Sequence, residues 1–340
     1  MKRVVRIALD AMGGDNAPAE PVYAAVDALA QTSRAHITLL GQEDLIREHL
    51  RYASYDQERL AIVPATEVIE MAEHPVNAIR KKKDSSIVLA LRMLKNGEAD
   101  AFISAGSTGA VLAGGQLLVG RLPGVERAPL APLIPTLKGV SLLIDCGANV
   151  DARPNHLLQF AKMGSLYMRD MMGIPNPTVG LLNIGVEEEK GNALSKETYP
   201  LQKACKDINI IGNVESREIP HGAADVIVTD AFAGNVALKL YEGTASAFLQ
   251  MIKSGMTSNL KSKIGALLVK SSLKETLKTM DATTYGGAPM LGLNGLVVKC
   301  HGNATRKELS NAVLQCVSFT DAGLTDKIKN SISPKESGEE

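Results

Sequence analysis

The chain has 340 residues, 45% of them apolar and 22% charged, and its 37 basic side chains balance 37 acidic ones to a formal net charge of zero. This composition excludes disorder for most of the length, and the lack of a global basic field excludes non-specific nucleic-acid binding. Four cysteines, Cys146, Cys205, Cys300 and Cys316, are widely spaced with no CxxC pair and no leading signal peptide, so a reduced, cytoplasmic protein is expected. The histidines are scattered singly and no cluster has metal-ligand spacing, so neither a metal nor a cofactor is expected.

The β-branched run Val4-Val5-Arg6-Ile7-Ala8-Leu9 reads as a buried strand and is followed at once by Asp10-Ala11-Met12-Gly13-Gly14-Asp15-Asn16. Paired glycines let that turn bend sharply and approach a ligand closely. Pro18 and Glu20 fit the first turn of a helix with apolar positions Val22, Ala25, Val26 and Leu29, which places the loop at a helix N-terminus. Arg80-Lys81-Lys82-Lys83 is the one dense basic run, leading into a helix start at Asp84-Ser85-Ser86, and offers a surface to an acidic partner. Residues 101–120 carry no charge over a length that could span a bilayer. Their glycines, serines, threonine and glutamine divide them instead into a short strand, a Gly-rich turn and a helix.

Strands are expected over 4–9, 37–40, 60–63, 101–104, 141–145, 178–184, 208–211, 225–229 and 296–299, alternating with amphipathic helical stretches. That is the pattern of an α/β fold with a largely parallel sheet and helices on both faces. Polar loops recur at the strand ends: Ser104 to Gly109, Asp145-Cys146-Gly147-Ala148-Asn149, Asn183-Ile184-Gly185, Gly212-Asn213-Val214-Glu215 and Thr229 to Asn235 join the first turn. Such repetition favours one large polar site. None of these loops has GxGxxG or GxxxxGK spacing, which disfavours a dehydrogenase or an ATPase.

Over 240–281 the character changes to a projecting amphipathic helical segment with a break near Ser254-Gly255. Met256, Leu260, Ile264, Leu267, Leu268, Leu273 and Leu277 fall near helical spacing, while Lys253, Lys261, Lys263, Lys270, Lys274 and Lys278 face only Glu275. Such a segment can pack on a partner subunit or lie in an anionic membrane surface. A Gly-rich loop at 283–289, a strand ending before Cys300-His301-Gly302-Asn303-Ala304 and a helix over about 305–320 follow. No repeat or linker divides residues 1–326, which read as a single domain, and 327–340 read as a frayed polar tail.

Taken together, DAMGGDNAP at 10–18, SAGSTGA at 104–110, IDCGANVDARP at 144–154, LLNIGVEEEKGN at 181–192, GNVESREI at 212–219, VTDAFAGNVALK at 228–239 and GGAPMLGLNGLVVKCHGNA at 286–304 resemble the bacterial phosphate acyltransferases of phospholipid synthesis, the PlsX family. The resemblance implies a Rossmann-like core, a homodimer, and transfer of a fatty acyl group from acyl carrier protein to inorganic phosphate. The acyl phosphate would serve a membrane glycerol-3-phosphate acyltransferase, and the enzyme would be soluble but peripherally membrane-associated.

That chemistry suits the polar loops. Phosphate is already an anionic nucleophile near neutral pH, and a pantetheine thiolate is a tolerable leaving group, with a thiol pKa of about 8.5. No covalent intermediate is needed; the site must hold phosphate against the thioester and stabilise an oxyanion. Gly13, Gly14, Asp15 and Asn16, with Gly106, Ser107 and Thr108, are the candidate phosphate or pantetheine contacts. Asn149, Asn183, Asn213 and Asn235 are candidate donors, Lys190 the candidate cation, and Asp10, Asp145 and Asp230 would orient donors or take the phosphate proton. An acyl-Cys146 route lacks a neighbouring histidine. The competing functions are the dehydrogenase and a non-catalytic membrane adaptor that binds acyl carrier protein through the basic helix.

Overall fold

The computed structural model describes residues 3–279 and 282–332. Strands β1 (Val5–Asp10), β2 (Ala35–Gly41), β3 (Leu60–Pro64) and β4 (Ala101–Ser104) come first. Next in the chain are β5 (Leu133–Thr136), β6 (Gly139–Ile144), β7 (Thr178–Asn183), β8 (Asn209–Glu215) and β9 (Val226–Val228), and then β10 (Ala288–Met290) and β11 (Leu296–Lys299). The helices are α1 (Ala19–Gln31), α2 (Glu43–Leu50), α3 (Pro75–Lys81), α4 (Ser86–Lys95), α5 (Thr108–Gly114), α6 (Pro154–Met172), α7 (Ala193–Ala204), α8 (Ala231–Thr257), α9 (Leu260–Thr279), α10 (Arg306–Ala322) and α11 (Leu324–Ile332).

The α/β class and the parallel pairing are as the sequence suggests, but the strands divide between two sheets. One has the order β10-β11-β4-β1-β2-β3 and the other β5-β6-β9-β7-β8. The chain leaves the first sheet after β4, builds the whole of the second, and returns to complete the first. The nine expected strands form, and two short ones are additional. Both are antiparallel edge strands, β5 against β6 and β10 against β11. Pro135 and Pro289 lie inside them and suppress a strand reading from sequence, yet an edge position tolerates a residue with no N–H.

A single apolar cluster runs through both sheets, from Ile7, Leu9 and Leu39 to Leu142, Val226 and Val228, with α6 and α10 contributing Phe160, Tyr167, Val313 and Phe319. Tyr167 and Phe319 meet edge to face with ring centroids 5.6 Å apart, so α6, which follows β6, is clamped to α10, which follows β11. Each fully buried side chain of this size contributes about 1.5–3 kcal/mol. The parallel strands therefore bring Asp10, Ser104 and Lys299 to one sheet's C-terminal edge, and Ile144, Asn183 and Val228 to the other's.

Two boundaries differ from the sequence pattern. The long helical segment stays helical through Gly255 and breaks at Ser258 and Asn259, where Asn259 Oδ1 accepts the Ser262 N–H at 2.9 Å and starts α9. Past Asp326 the chain continues as α11 because Leu324 and Ile328, one turn apart, are both buried and Lys327 pairs with Asp170 at 3.0 Å. Residues 333–340 of the expected tail, residues 280–281, and the side chains of Leu277 and Lys278 lie outside the described residues. Among the described residues no helix is long and apolar enough to cross a membrane.

Candidate active site

Asp10, 1% exposed, organises the first sheet's edge. Its Oδ2 accepts the Ser104 hydroxyl at 2.7 Å and its Oδ1 accepts the Met12 N–H at 3.0 Å, while Ser104 Oγ accepts the Gly106 N–H at 2.9 Å. Burial pushes the carboxyl up from its ordinary value, and hydrogen bonds from Ser86, Ser104, Met12 and Gly13 oppose that shift. Only glycine fits at 13, since a Cβ there would stand 2.3 Å from Asp10 Oδ2 and 2.5 Å from the Gly106 nitrogen. Gly14 at φ +100° turns the chain so that the Asp15 N–H donates to the Gly302 carbonyl at 2.7 Å. Asn16 Nδ2 donates to the Asn303 carbonyl at 3.3 Å, so the loops after β1 and β11 are stitched together. Ser107 caps α5 by accepting the Ala110 N–H at 3.4 Å, and Thr108 is exposed on its first turn.

Lys299, at the end of β11, was not among the sequence candidates. It is 6% exposed, and its Nζ donates to the carbonyls of Ala105 and Cys300, the former at 3.4 Å. Burial lowers its pKa; Cys300, Glu308 and Asp10 oppose the shift and Lys239 adds to it. The signal for it was present as a lone lysine ending an aliphatic strand just before Cys300-His301-Gly302-Asn303.

At the second sheet's edge, Asp145 is wholly buried and its carboxylate is fully engaged. Oδ1 accepts the N–H groups of Leu130 (2.9 Å) and Ala148 (3.1 Å), and Oδ2 accepts the N–H (2.8 Å) and Nδ2 (2.7 Å) of Asn149. Asn149 Nδ2 also donates to the Ala128 carbonyl at 3.1 Å, so these two sequence candidates hold the loop's architecture. Asp230 caps α8 by accepting the N–H groups of Phe232 (2.8 Å) and Ala233 (2.9 Å). A Cβ on Gly234 would lie 2.0 Å from the Asp145 carbonyl oxygen, so the first turn of α8 rests directly on the end of β6. Asn235 is half-buried on that turn and, among the described residues, its side chain makes no hydrogen bond. Farther along α8, Glu242 Oε2 reaches to 4.0 Å from His301 Nε2, which brings α8 against the loop after β11.

Asn183, Lys190 and Asn213 form a third group. Asn183 Nδ2 donates to the Lys190 carbonyl at 3.1 Å and Asn213 Nδ2 to the Glu187 carbonyl at 2.8 Å, so both asparagines tether the 184–192 loop. The Lys190 side chain is exposed on that loop. The structure thus gathers Asp10, Gly13, Gly14, Asp15, Asn16, Gly106 and Ser107 around Lys299, sets Asn235 on the helix that leans toward them, and leaves Lys190 on a surface loop of the other sheet.

The gathered groups are glycine-loop amides, the starts of α5 and α8, one buried ammonium and one free carboxamide, all suited to an anion or a developing oxyanion. No activated nucleophile stands among them. Cys146 is 3% exposed, and burial together with the charges of Asp145 and Glu242 pushes its thiol well up, which keeps it protonated. Among the described residues no group of His, Cys, Asp and Glu is arranged to hold a metal ion.

The fold is similar to that of solved phosphotransacetylases. The chain is similar in fold to the EutD phosphotransacetylase from Staphylococcus aureus (TM-score 0.60, 18% identity, 94% of each chain covered). It is equally similar to a phosphotransacetylase from Streptococcus pyogenes (TM-score 0.61, 15% identity, 95% of this chain and 94% of that one). In sequence, residues 5–327 match the family described as "Fatty acid synthesis protein". A phosphate acyltransferase from Clostridium perfringens is 49% identical over 331 residues, 97% of this chain and 98% of the relative. One from Desulfitobacterium hafniense is 50% identical over 330 residues, 96% and 98% respectively. The chain belongs to this family, the PlsX family, and is an acyltransferase.

A buried ammonium with a lowered pKa binds fewer protons folded than unfolded, so it costs stability at neutral pH, and that cost shrinks as pH rises toward the ordinary lysine value of about 10.4. Lys299→Met removes the ionisable group. Wild type should therefore gain stability relative to Lys299→Met as pH rises through the alkaline range toward about 10, measured as the difference in urea unfolding midpoints. A difference that is flat with pH would mean that Lys299 is not desolvated.

Proposed function

We propose that this acyltransferase moves a fatty acyl group from acyl carrier protein to inorganic phosphate, and that phosphate attacks the thioester carbonyl directly. The observation that carries this reading is the buried Lys299 ammonium beside the Asp10–Ser104–Gly106 network, in a site that offers anion donors and no nucleophile of its own. Phosphate is held by the Gly14 amide, at the turn that Asp10 and Ser104 brace, and by Lys299. The exposed Thr108 hydroxyl and the Asn235 carboxamide donate to phosphate or to the carbonyl oxygen as it becomes an oxyanion. A phosphate oxygen bonds to the acyl carbon, the C–S bond breaks, and the pantetheine sulfur leaves as thiolate and takes a proton from solvent or from the phosphate. Asp10, buried and holding the Ser104 hydroxyl and the Met12 N–H, orients the serine and the glycine loop. The surface-loop Lys190 is the second candidate cation, reached only if that loop closes over the donor.

The test is formation of acyl phosphate from long-chain acyl-acyl carrier protein and phosphate, trapped as the hydroxamate, with a no-phosphate control. Product should require phosphate, and Lys299→Met should lower turnover by about 10²-fold, the effect expected on losing one preorganised oxyanion or anion donor. Asn235→Ala should cost at least tenfold. Intact thioester recovered from folded wild type would reject the reading in favour of the non-catalytic adaptor.

We also propose that the α8–α9 hairpin attaches the enzyme peripherally to anionic membrane, where a membrane glycerol-3-phosphate acyltransferase would take the product, and that the active form is a homodimer. Supporting the membrane role, Leu260, Leu267 and Leu268 are 75%, 72% and 78% exposed beside Lys261, Lys263 and Lys270. Sedimentation with phosphatidylglycerol vesicles should be lost in the Leu260→Glu/Leu267→Glu/Leu268→Glu variant. Sedimentation equal to wild type would return the hairpin to the dimer interface.

A further inference from the structure

A second cationic feature lies outside the phosphate site. Arg121, Arg127 and Arg153 line one open cavity of ≈ 430 Å³ together with Gly124, Glu126 and His156. Three guanidinium groups converging on one depression repel one another unless something acidic sits between them. The cavity's own carboxylate, Glu126, holds His156 Nε2 at 3.0 Å through Oε2 and offsets only one of the three charges. Among the described residues the three arginines pair with no carboxylate; Arg121 donates to the Glu126 carbonyl, and Arg127 reaches the same carbonyl at 3.5 Å. The start of the 19-residue α6, with Pro154 at its first position, adds the positive end of a helix dipole to the same cavity. In a chain with no net charge, three guanidinium groups against one carboxylate leave a local excess of positive charge in this cavity.

The cavity adjoins the candidate active site. Asn149, bonded to Asp145, donates to the Ala128 carbonyl, the residue after Arg127. The loop that starts at the end of β6 with Asp145 ends at Arg153. The lining holds no Phe, Tyr or Trp, and both its imidazole, His156, and its one large apolar residue, Val125, are buried, so nothing there would receive a nucleobase or an acyl chain. What the lining recognises is a set of negative charges presented from outside.

Resting on the acyl-transfer reading, we propose that this arginine-lined cavity is the docking site for the acidic surface of the carrier protein that delivers the acyl thioester. Docked there, the carrier projects its arm along the 145–153 loop toward the glycine loops. The other basic surfaces fit less well. In the Arg80–Lys83 run, Lys82 is already paired with Glu73 at 2.5 Å, and Asp84 and Glu67 lie against it. The lysines of α9 are interleaved with exposed leucines, a pattern that suits lipid.

Binding of fluorescently labelled holo-acyl carrier protein, followed by anisotropy at low ionic strength, tests the assignment independently of catalysis. Arg127→Glu/Arg153→Glu should weaken binding at least tenfold, and Arg127→Gln/Arg153→Gln by less, with the salt dependence of binding reduced in both. Arg121 is left in place because it holds the Glu126 carbonyl, and thermal midpoints near wild type show that the variants fold. The control Arg80→Glu/Lys81→Glu should bind like wild type. Wild-type affinity in the Arg127→Glu/Arg153→Glu variant, or an equal loss in the control, would overturn the proposal. Carrier binding that depends on these arginines, with no acyl phosphate from any sample, would instead sink the acyl-transfer reading and leave the docking surface standing.

Discussion

The two sheets are joined through a carboxylate that has no access to water. Asp145 directly follows β6 of the second sheet, and its Oδ1 holds the N–H of Leu130, which pairs across to Met290 of β10 in the first. The Leu130 carbonyl in turn accepts the Cys146 N–H, so one residue is gripped from both sides. An unpaired carboxylate at such depth would cost several kcal/mol, and hydrogen bonds to a charged group return about 1.5–3 kcal/mol each. Four of them roughly offset the burial, and the direction of the Asp145 shift, upward, says that burial still outweighs them. Because α8 begins on the Asp145 carbonyl through Gly234, the same residue decides where Asn235 and the rest of that helix stand relative to the first sheet.

Most of the fold could be read from residue pattern because parallel strands buried on both faces leave long aliphatic runs with glycine and polar residues at their ends. The partition into two sheets could not, since it depends on which strand β6 and β11 choose as neighbours, a choice made by pairing and not by local pattern. The two missed strands share a cause: each contains a proline that local reading counts against a strand and that an edge accommodates. Helix ends were blurred where a single cap decided them, as at Asn259, or where two apolar residues a turn apart outweighed polar surroundings, as in α11.

The site divides in the same way. Loop glycines advertise themselves, and Gly13 and Gly106 do lie within contact of Asp10. Acidic and amide residues in the same motifs are ambiguous, since Asp145 with Asn149, and Asp230 at the start of α8, spend their polar atoms on the backbone in this structure. Lys299 escaped notice for the opposite reason. Its neighbours in sequence are apolar, and only the stitching of the β1 and β11 loops shows that it ends beside a glycine loop and not in a core. The resulting site places neutral or positive groups where phosphate would sit and keeps its carboxylates occupied or burial-shifted, which is the electrostatic condition for an anion to act as nucleophile.

Whether phosphate itself attacks the thioester is the claim from which the rest of the chemistry follows. Exchange of label between acyl-acyl carrier protein and free holo-acyl carrier protein, measured with enzyme present and phosphate absent, addresses it directly. Direct attack predicts no exchange until phosphate is added, because no acyl group leaves the carrier without it. Exchange in phosphate-free buffer at a rate comparable to turnover would mean that the enzyme carries the acyl group itself, and would contradict this account.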